Sequence, residues 1–221
     1  MTSGRIFAMV CLLLPVLAAG CGGGGGGGGS SSSTALRIIH GSVDGSPVSA
    51  SIGETLVQKA HYGEETNYVG VTPGDTLITL ERQNAPGQVV ATFAQLLQTA
   101  THYTILVYGE ARHGTLRTTL LEEPVLKPAA GSSRLQLINA LSGKPAATLR
   151  GDSYNIGPVA LGTSSGFIDI PSGVQTVTVG TQDGRVVGRV DIEAPDRGDV
   201  TVVASGSADL NVSFVKIYYG S

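Results

Sequence analysis

The sequence predicts an all-β protein built from two tandem antiparallel β-sandwiches. Three observations carry this. Apolar residues recur at every second position: Val177 and Val179 alternate with Thr176 and Thr178, and Val186, Gly188, Val190 and Ile192 with Arg185, Val187, Arg189, Asp191 and Glu193, the period of a half-buried strand. The two halves resemble each other at an offset of 97 to 99 residues, so whatever one half builds the other builds again. Gly and Pro punctuate the chain at short intervals, and only Phe93, Leu96 and Leu97 keep a helical spacing, for about one turn. Charged residues are 14% of the 221, with 14 Lys plus Arg against 17 Asp plus Glu and no basic run, which argues against a nucleic-acid partner. Hydrophobic content of 41% is enough for packed cores.

Residues 1–20 have the layout of a secretory signal: Arg5 and the amino terminus supply positive charge, Ile6 to Leu17 an apolar run, and Ala18, Ala19 and Gly20 small residues. The apolar run is too short to span a bilayer, which takes roughly 20 residues. Leu17-Ala18-Ala19-Gly20-Cys21 resembles the lipobox of bacterial lipoproteins. That resemblance implies cleavage before Cys21, a diacylglyceryl group on its thiol and an acyl chain of the palmitate class on its amine. Two or more chains hold a protein stably on a membrane, at about 0.8 kcal/mol per buried methylene. Cys11 leaves with the signal, so the mature chain is expected to have neither a free thiol nor a disulfide, and its stability must come from apolar cores.

Residues 21–34 join the acylated Cys21 to the folded part through Gly22 to Gly29 and Ser30 to Ser33. No side chain there can pack, and a Gly/Ser coil of this length spans roughly 20 Å r.m.s.. The run contains G-x-G-x-x-G trivially, but no strand precedes it and no helix follows it, so a dinucleotide site is not expected. Glu122-Glu123-Pro124 through Pro128 to Ser132 breaks the apolar periodicity and reads as a solvated linker. The expected organisation is a first repeat at 35–123, a linker at 124–132 and a second repeat at 133–221.

Within the repeats, Leu36-Arg37-Ile38-Ile39-His40 answers to Ser133-Arg134-Leu135-Gln136-Leu137-Ile138-Asn139, which sets Arg37 and Arg134 at equal places. Pro47 matches Pro145, Gly63 matches Gly162, and Tyr68 to Gly74 matches Phe167 to Gly173. Tyr103 to Gly109 matches Val200 to Gly206. Asp183-Gly184 predicts a tight hairpin with a type I′ turn. The run Leu-Arg-Ile-Ile-His, then Asp44-Gly45-Ser46-Pro47, then Tyr-x-x-Val-x-Pro-Gly and Tyr-Thr-x-x-Val-x-Gly resembles the bacterial domain of unknown function family 4397. That resemblance implies immunoglobulin-like sandwiches, frequent in exported and surface-attached proteins, with no catalytic residues to carry over. The second copy departs from the pattern, with Asn139 in place of the His and Val200 in place of the Tyr.

Candidate chemistry is sparse. Gly162-Thr163-Ser164-Ser165-Gly166 is a literal G-x-S-x-G, but all four His (40, 61, 102, 113) precede Ser164, against the chain order of an α/β-hydrolase triad, so a turn is the simpler reading. No two His lie at i, i+2 or i, i+4, so neither a metal set nor a catalytic residue is expected, and no cofactor. Asp44, Glu64 and Glu65 offer carboxylates for calcium without the alternate acidic spacing of a calcium loop. Tyr103 is placed like the tyrosine of a Greek-key corner. Arg37 and Arg134 read as inter-strand or surface partners, and Asn211-Val212-Ser213 as a chance sequon. One loop stands out as a partner site: His61, Tyr62, Glu64, Glu65, Asn67 and Tyr68 mix aromatics with polar groups. Against this, Tyr68 is a candidate core residue, as Phe167 would be.

The expectation for function is a non-enzymatic binding or structural module of the bacterial cell envelope, held on a membrane through its N-terminal lipid and meeting an envelope protein or glycan. Gly22, rather than Asp, after Cys21 resembles the sorting signal for the outer membrane. The alternatives are a hydrolase or other enzyme with a site between the modules, and a spacer.

Overall fold

The computed structural model describes residues 34–220, so the signal, Cys21 and most of the tether lie outside it. Sixteen strands and no helix make up the described chain. The first unit holds β1 (Ala35–His40), β2 (Val48–Ile52), β3 (Thr55–Ala60), β4 (Val69–Gly70), β5 (Gly74–Arg82), β6 (Val89–Leu97), β7 (Thr101–Tyr108) and β8 (Arg117–Pro124). The second repeats it with β9 (Ser132–Ser142), β10 (Ala147–Arg150), β11 (Asn155–Val159), β12 (Ile168–Pro171), β13 (Gly173–Thr181), β14 (Val186–Ala194), β15 (Asp199–Ser207) and β16 (Val212–Gly220). Strand orders are β4-β1-β7-β8 and β3-β2-β5-β6 in the first, β12-β9-β15-β16 and β11-β10-β13-β14 in the second. The orders are the same after a shift of eight strands, so the all-β, two-sandwich expectation holds.

Each connection reverses the chain, so odd-numbered strands run one way and even-numbered strands the other. The sheet neighbours β1 and β7, both odd, are therefore parallel, as are β9 and β15. Every other pairing is antiparallel, so each unit is an antiparallel sandwich with one parallel pair. A correction concerns Asp183-Gly184. The β13–β14 hairpin is present, but only Gly184 has positive φ, at 86°. The Gly184 N–H donates to the Thr181 carbonyl at 2.9 Å and the Thr181 N–H to the Arg185 carbonyl at 2.8 Å. That is the three-residue loop with a bulge glycine, which asks a positive φ of one residue rather than the two of type I′. Phe93, Leu96 and Leu97 lie on β6, an edge strand.

The four sheets enclose three apolar interfaces. Leu36, Ile38, Val48, Ile78, Leu80, Tyr103 and Ile105 fill the first sandwich, and Leu135, Leu137, Leu149, Val177, Val179, Ile192 and Val202 the second. The third lies between the units, where Ile39 and Leu106 meet Ile138, Ala140 and Val203. The sheets carrying β1 and β9 thus pack face to face, and every residue of β1 is buried. Gly41 belongs to this contact: a Cβ there would stand 2.7 Å from that of Ala140. Tyr103 behaves as a corner tyrosine, fully buried, with its hydroxyl accepting the Gln98 N–H at 2.7 Å.

Candidate functional site

The repeat extends to individual hydrogen bonds at an offset of 99. The His40 N–H donates to the Glu64 carbonyl at 3.0 Å as that of Asn139 does to Thr163 at 3.1 Å, and Gly63 bonds the His40 carbonyl as Gly162 bonds that of Asn139. The Ile38 N–H donates to Thr66 Oγ1 as that of Leu137 does to Ser165 Oγ. Gly162 to Gly166 is therefore the counterpart of Gly63 to Asn67, an inter-strand loop. Ser164 Oγ donates to Gln136 Oε1 at 2.6 Å. Gly162, at φ +77°, is required because a Cβ there would fall 2.2 Å from the Tyr108 ring of the first unit. The motif is an inter-unit contact. The same register corrects the pairing of Arg37 with Arg134: Leu36 matches Leu135, so Arg37 matches Gln136 and Arg134 matches Ala35.

Arg37 and Gln136 head a polar cluster in the seam between the units. Arg37, on β1, is 2% exposed. Its Nε donates to Thr104 Oγ1 at 2.8 Å, and its Nη2 to Glu123 Oε1 at 3.3 Å and, across the seam, to Thr201 Oγ1 at 3.2 Å. Gln136 Nε2 reaches Glu123 Oε1 at 2.8 Å and Thr201 Oγ1 at 3.0 Å. Glu123 is thus no solvated linker residue. β8 runs to Pro124 and sets Glu123 opposite His102 with its carboxylate turned into the seam, 4% exposed. Glu122, facing the other way, is exposed and accepts Gln95 Nε2 at 2.9 Å.

The predicted loop supplies the rest. The Tyr68 hydroxyl donates to Glu123, its ring lies 4.5 Å from the Arg37 guanidinium carbon, and His102 stacks on it at 4.3 Å. Burial, and then the Glu123 charge, push the Tyr68 phenol well above the ordinary range, so it stays a donor. Glu65, 20% exposed, lies 3.4 Å from Arg37. Its carboxyl is pushed up to about 7, first by burial, which the Arg37 charge opposes, and then by the Glu123 carboxylate. In the second unit Arg134 stacks on Phe167 at 4.5 Å and pairs with Asp199 at 2.5 and 2.8 Å. The cleft left among Arg37, Tyr68, Glu123, Arg134 and Asp199 is about 20 Å³, room for a water rather than a substrate.

The other loop residues face outward. His61 and Glu64 are exposed and pair at 2.9 Å, and Asn67 is exposed, its carbonyl accepting Gln58 Nε2 at 2.7 Å. Tyr62 is wedged edge-on between His40 at 6.5 Å and Phe214 of β16 at 6.1 Å, and Lys216 Nζ donates to the Gly63 carbonyl at 2.7 Å. The predicted residues thus divide: Glu65 and Tyr68 join the seam cluster, while His61, Tyr62 and Glu64 form an outer patch with Phe214 and Lys216, which sequence reasoning passed over. The calcium set does not assemble. Asp44 accepts the N–H groups of Ala111 and Arg112 at 2.8 and 3.0 Å, while Glu64 is engaged by His61 and Glu65 by Arg37.

A second inter-unit cluster lies at the end of the stack where β1 finishes. Glu110, buried, receives Ser207 Oγ at 2.7 Å and Arg112 Nη2 at 2.9 Å, and His113 Nε2 stands 3.5 Å from it and 3.0 Å from Asp209. The spacing of His to His does not show this set. The i, i+3 pair Glu110 and His113 was the available signal, and Asp209 comes from a loop 96 residues on.

Among known proteins, the family model described as "Domain of unknown function (DUF4397)" matches residues 34–150, the whole first unit and the opening strands of the second. No curated protein matches. A solved structure, the fimbrial anchor protein Mfa2 from Porphyromonas gingivalis, is similar at 12% identity and a TM-score of 0.24, covering 85% of this chain and 97% of that one.

Proposed function

The chain belongs to the DUF4397 family, and from that premise we propose that it is a lipid-anchored, non-enzymatic binding or structural module of the bacterial cell envelope, held on the outer membrane through Cys21. The observation that carries the non-enzymatic reading is the seam. It is where a site between two units would form, and its charged groups are spent on one another: Arg37 on Glu123 and Glu65, Arg134 on Asp199. The five-residue lipobox supports the anchor.

Thr34 leads into the start of β1, beside the starts of β7 and β9. The loops after β1, β3, β7 and β15 gather at the opposite end, about 36 Å away along the 11 residues of β9. A tether reaching roughly 20 Å leaves those loops pointing away from the membrane. The partner surface is the patch of His61, Tyr62 and Glu64 with Phe214 and Lys216. Two aromatic rings beside opposite charges suit a protein or glycan contact. The test is a pull-down from envelope extracts with the chain from Thr34, repeated with Tyr62→Ala plus Glu64→Ala. Loss of the captured partner at unchanged thermal midpoint supports the patch, and undiminished capture refutes it. Cys21→Ala in the full chain should leave the membrane fraction or keep its signal peptide. Membrane partitioning after cleavage would refute the anchor.

A further inference from the structure

We propose that Glu110, His113 and Asp209 form a divalent metal site of the zinc class that staples the two units at their loop end. His113 Nε2, Asp209 Oδ2 and Glu110 Oε2 converge from two loops, with separations of 3.0 and 3.5 Å from the imidazole nitrogen and all three ligand atoms within 4.8 Å of one another. Bonds of about 2.0–2.2 Å to nitrogen and oxygen in a tetrahedron set ligand atoms about 3.3–3.5 Å apart, so two of the three edges already have nearly the required length. One imidazole with two carboxylates is a donor set suited to zinc.

The loops are held for the purpose. The Thr115 N–H closes on the Glu110 carbonyl at 3.0 Å, the Glu110 N–H on Thr115 Oγ1 at 3.1 Å, and Asp44 pins the next two N–H groups. The opposing turn is tied by the Leu210 N–H to Ser207 Oγ at 3.1 Å, and that same hydroxyl donates to Glu110 Oε1. Ser207 thereby orients the buried carboxylate from behind, the outer-shell support a ligand carboxylate needs. Arg112 contacts the Oε2 that would face the metal and stays as its second partner. The charges are also unbalanced: Asp44 and Glu110 flank the Arg112 guanidinium while Asp209 stands against His113, and a dication brings these three carboxylates and one guanidinium to neutrality. His113 is 50% and Asp209 61% exposed, so an ion can enter and water can fill the remaining position.

The experiment is calorimetric titration of the chain from Thr34 with Zn²⁺ alone, together with its thermal midpoint. The expected result is one equivalent bound with a raised midpoint, weakened by about tenfold or more in His113→Ala and in Asp209→Asn and unchanged in His61→Ala. The proposal is overturned by absence of saturable binding, by equal affinity in His113→Ala, or by loss of binding in His61→Ala, which would move the ion to the exposed His61–Glu64 pair.

Discussion

Glu65 makes the seam sensitive to pH in a direction that can be worked out. Burial beside Glu123 pushes its carboxyl from an ordinary 4.5 up to about 7 despite Arg37 at 3.4 Å. The folded chain therefore binds this proton more tightly than the unfolded chain. Its contribution is fully present below about 4.5 and is lost as pH rises through about 7. At 1.36 kcal/mol per unit of separation, the whole span is worth about 3 kcal/mol. His40 and His102 act in the opposite direction. Burial holds both below the ordinary imidazole value, so what they contribute is lost as pH falls through the unfolded value near 6.5. Comparison with Glu65→Gln, which mimics the protonated carboxyl, cancels the histidines. Urea unfolding from pH 4.5 to 8 should find the two proteins about equal at the acid end, with the variant more stable by up to about 3 kcal/mol at pH 8. Parallel stability profiles would refute the reasoning.

Leu106→Ala empties part of the apolar contact between the units and should cost about 2–5 kcal/mol in urea unfolding. A loss below about 1 kcal/mol would mean that the units do not depend on that contact. A protease nick on either side of the buried Pro128, at exposed Leu126 and Lys127 or at Ala129 to Gly131, should leave two fragments that elute together in native gel filtration and separate in denaturant. Separation under native conditions would refute a shared interface. Gln136→Arg sets a second guanidinium beside Arg37 with only Glu123 between them, and should lower the thermal midpoint far more than Gln136→Met, which removes the amide without adding charge. Equal midpoints would mean that the seam tolerates the charge.

The alternation in β13 and β14 was legible because those strands lie in an outer sheet, with one face on a core and the other in water. In β1, β7, β9 and β15 both faces are covered, one by the sandwich partner and one by the other unit. Their sequences accordingly read as nearly unbroken apolar runs, such as Thr104-Ile105-Leu106-Val107 and Val200-Thr201-Val202-Val203. Such runs are the mark of a strand covered on both faces, whereas the break between Pro124 and Pro128 carries the composition of a separating linker. The seam itself was hidden for a different reason. Its members, Arg37, Glu65, Tyr68, Thr104, Glu123, Gln136 and Thr201, are spread over six segments and share no local spacing, only the repeat offset that relates Arg37 to Gln136 and Thr104 to Thr201. A polar residue inside an apolar run does not announce which face it occupies until the facing sheet is known.

The two copies differ in charge where they touch, and the geometry gives the reason. Arg37 and Gln136 hold equivalent places and both reach Glu123 and Thr201. An arginine in both copies would set two buried guanidiniums on the one Glu123 carboxylate, with Glu65 answering Arg37 alone. The neutral amide keeps the hydrogen bonds without the charge. Glu65 and Ser164 differ in the same sense: the carboxylate faces Arg37 and the hydroxyl faces Gln136. Facing surfaces built from two repeats of one chain are free to place the cation and its anions in one half and their neutral counterparts in the other. At this point of the seam the neutral Gln136 and Ser164 of the second copy are the complement of the charged Arg37 and Glu65 of the first.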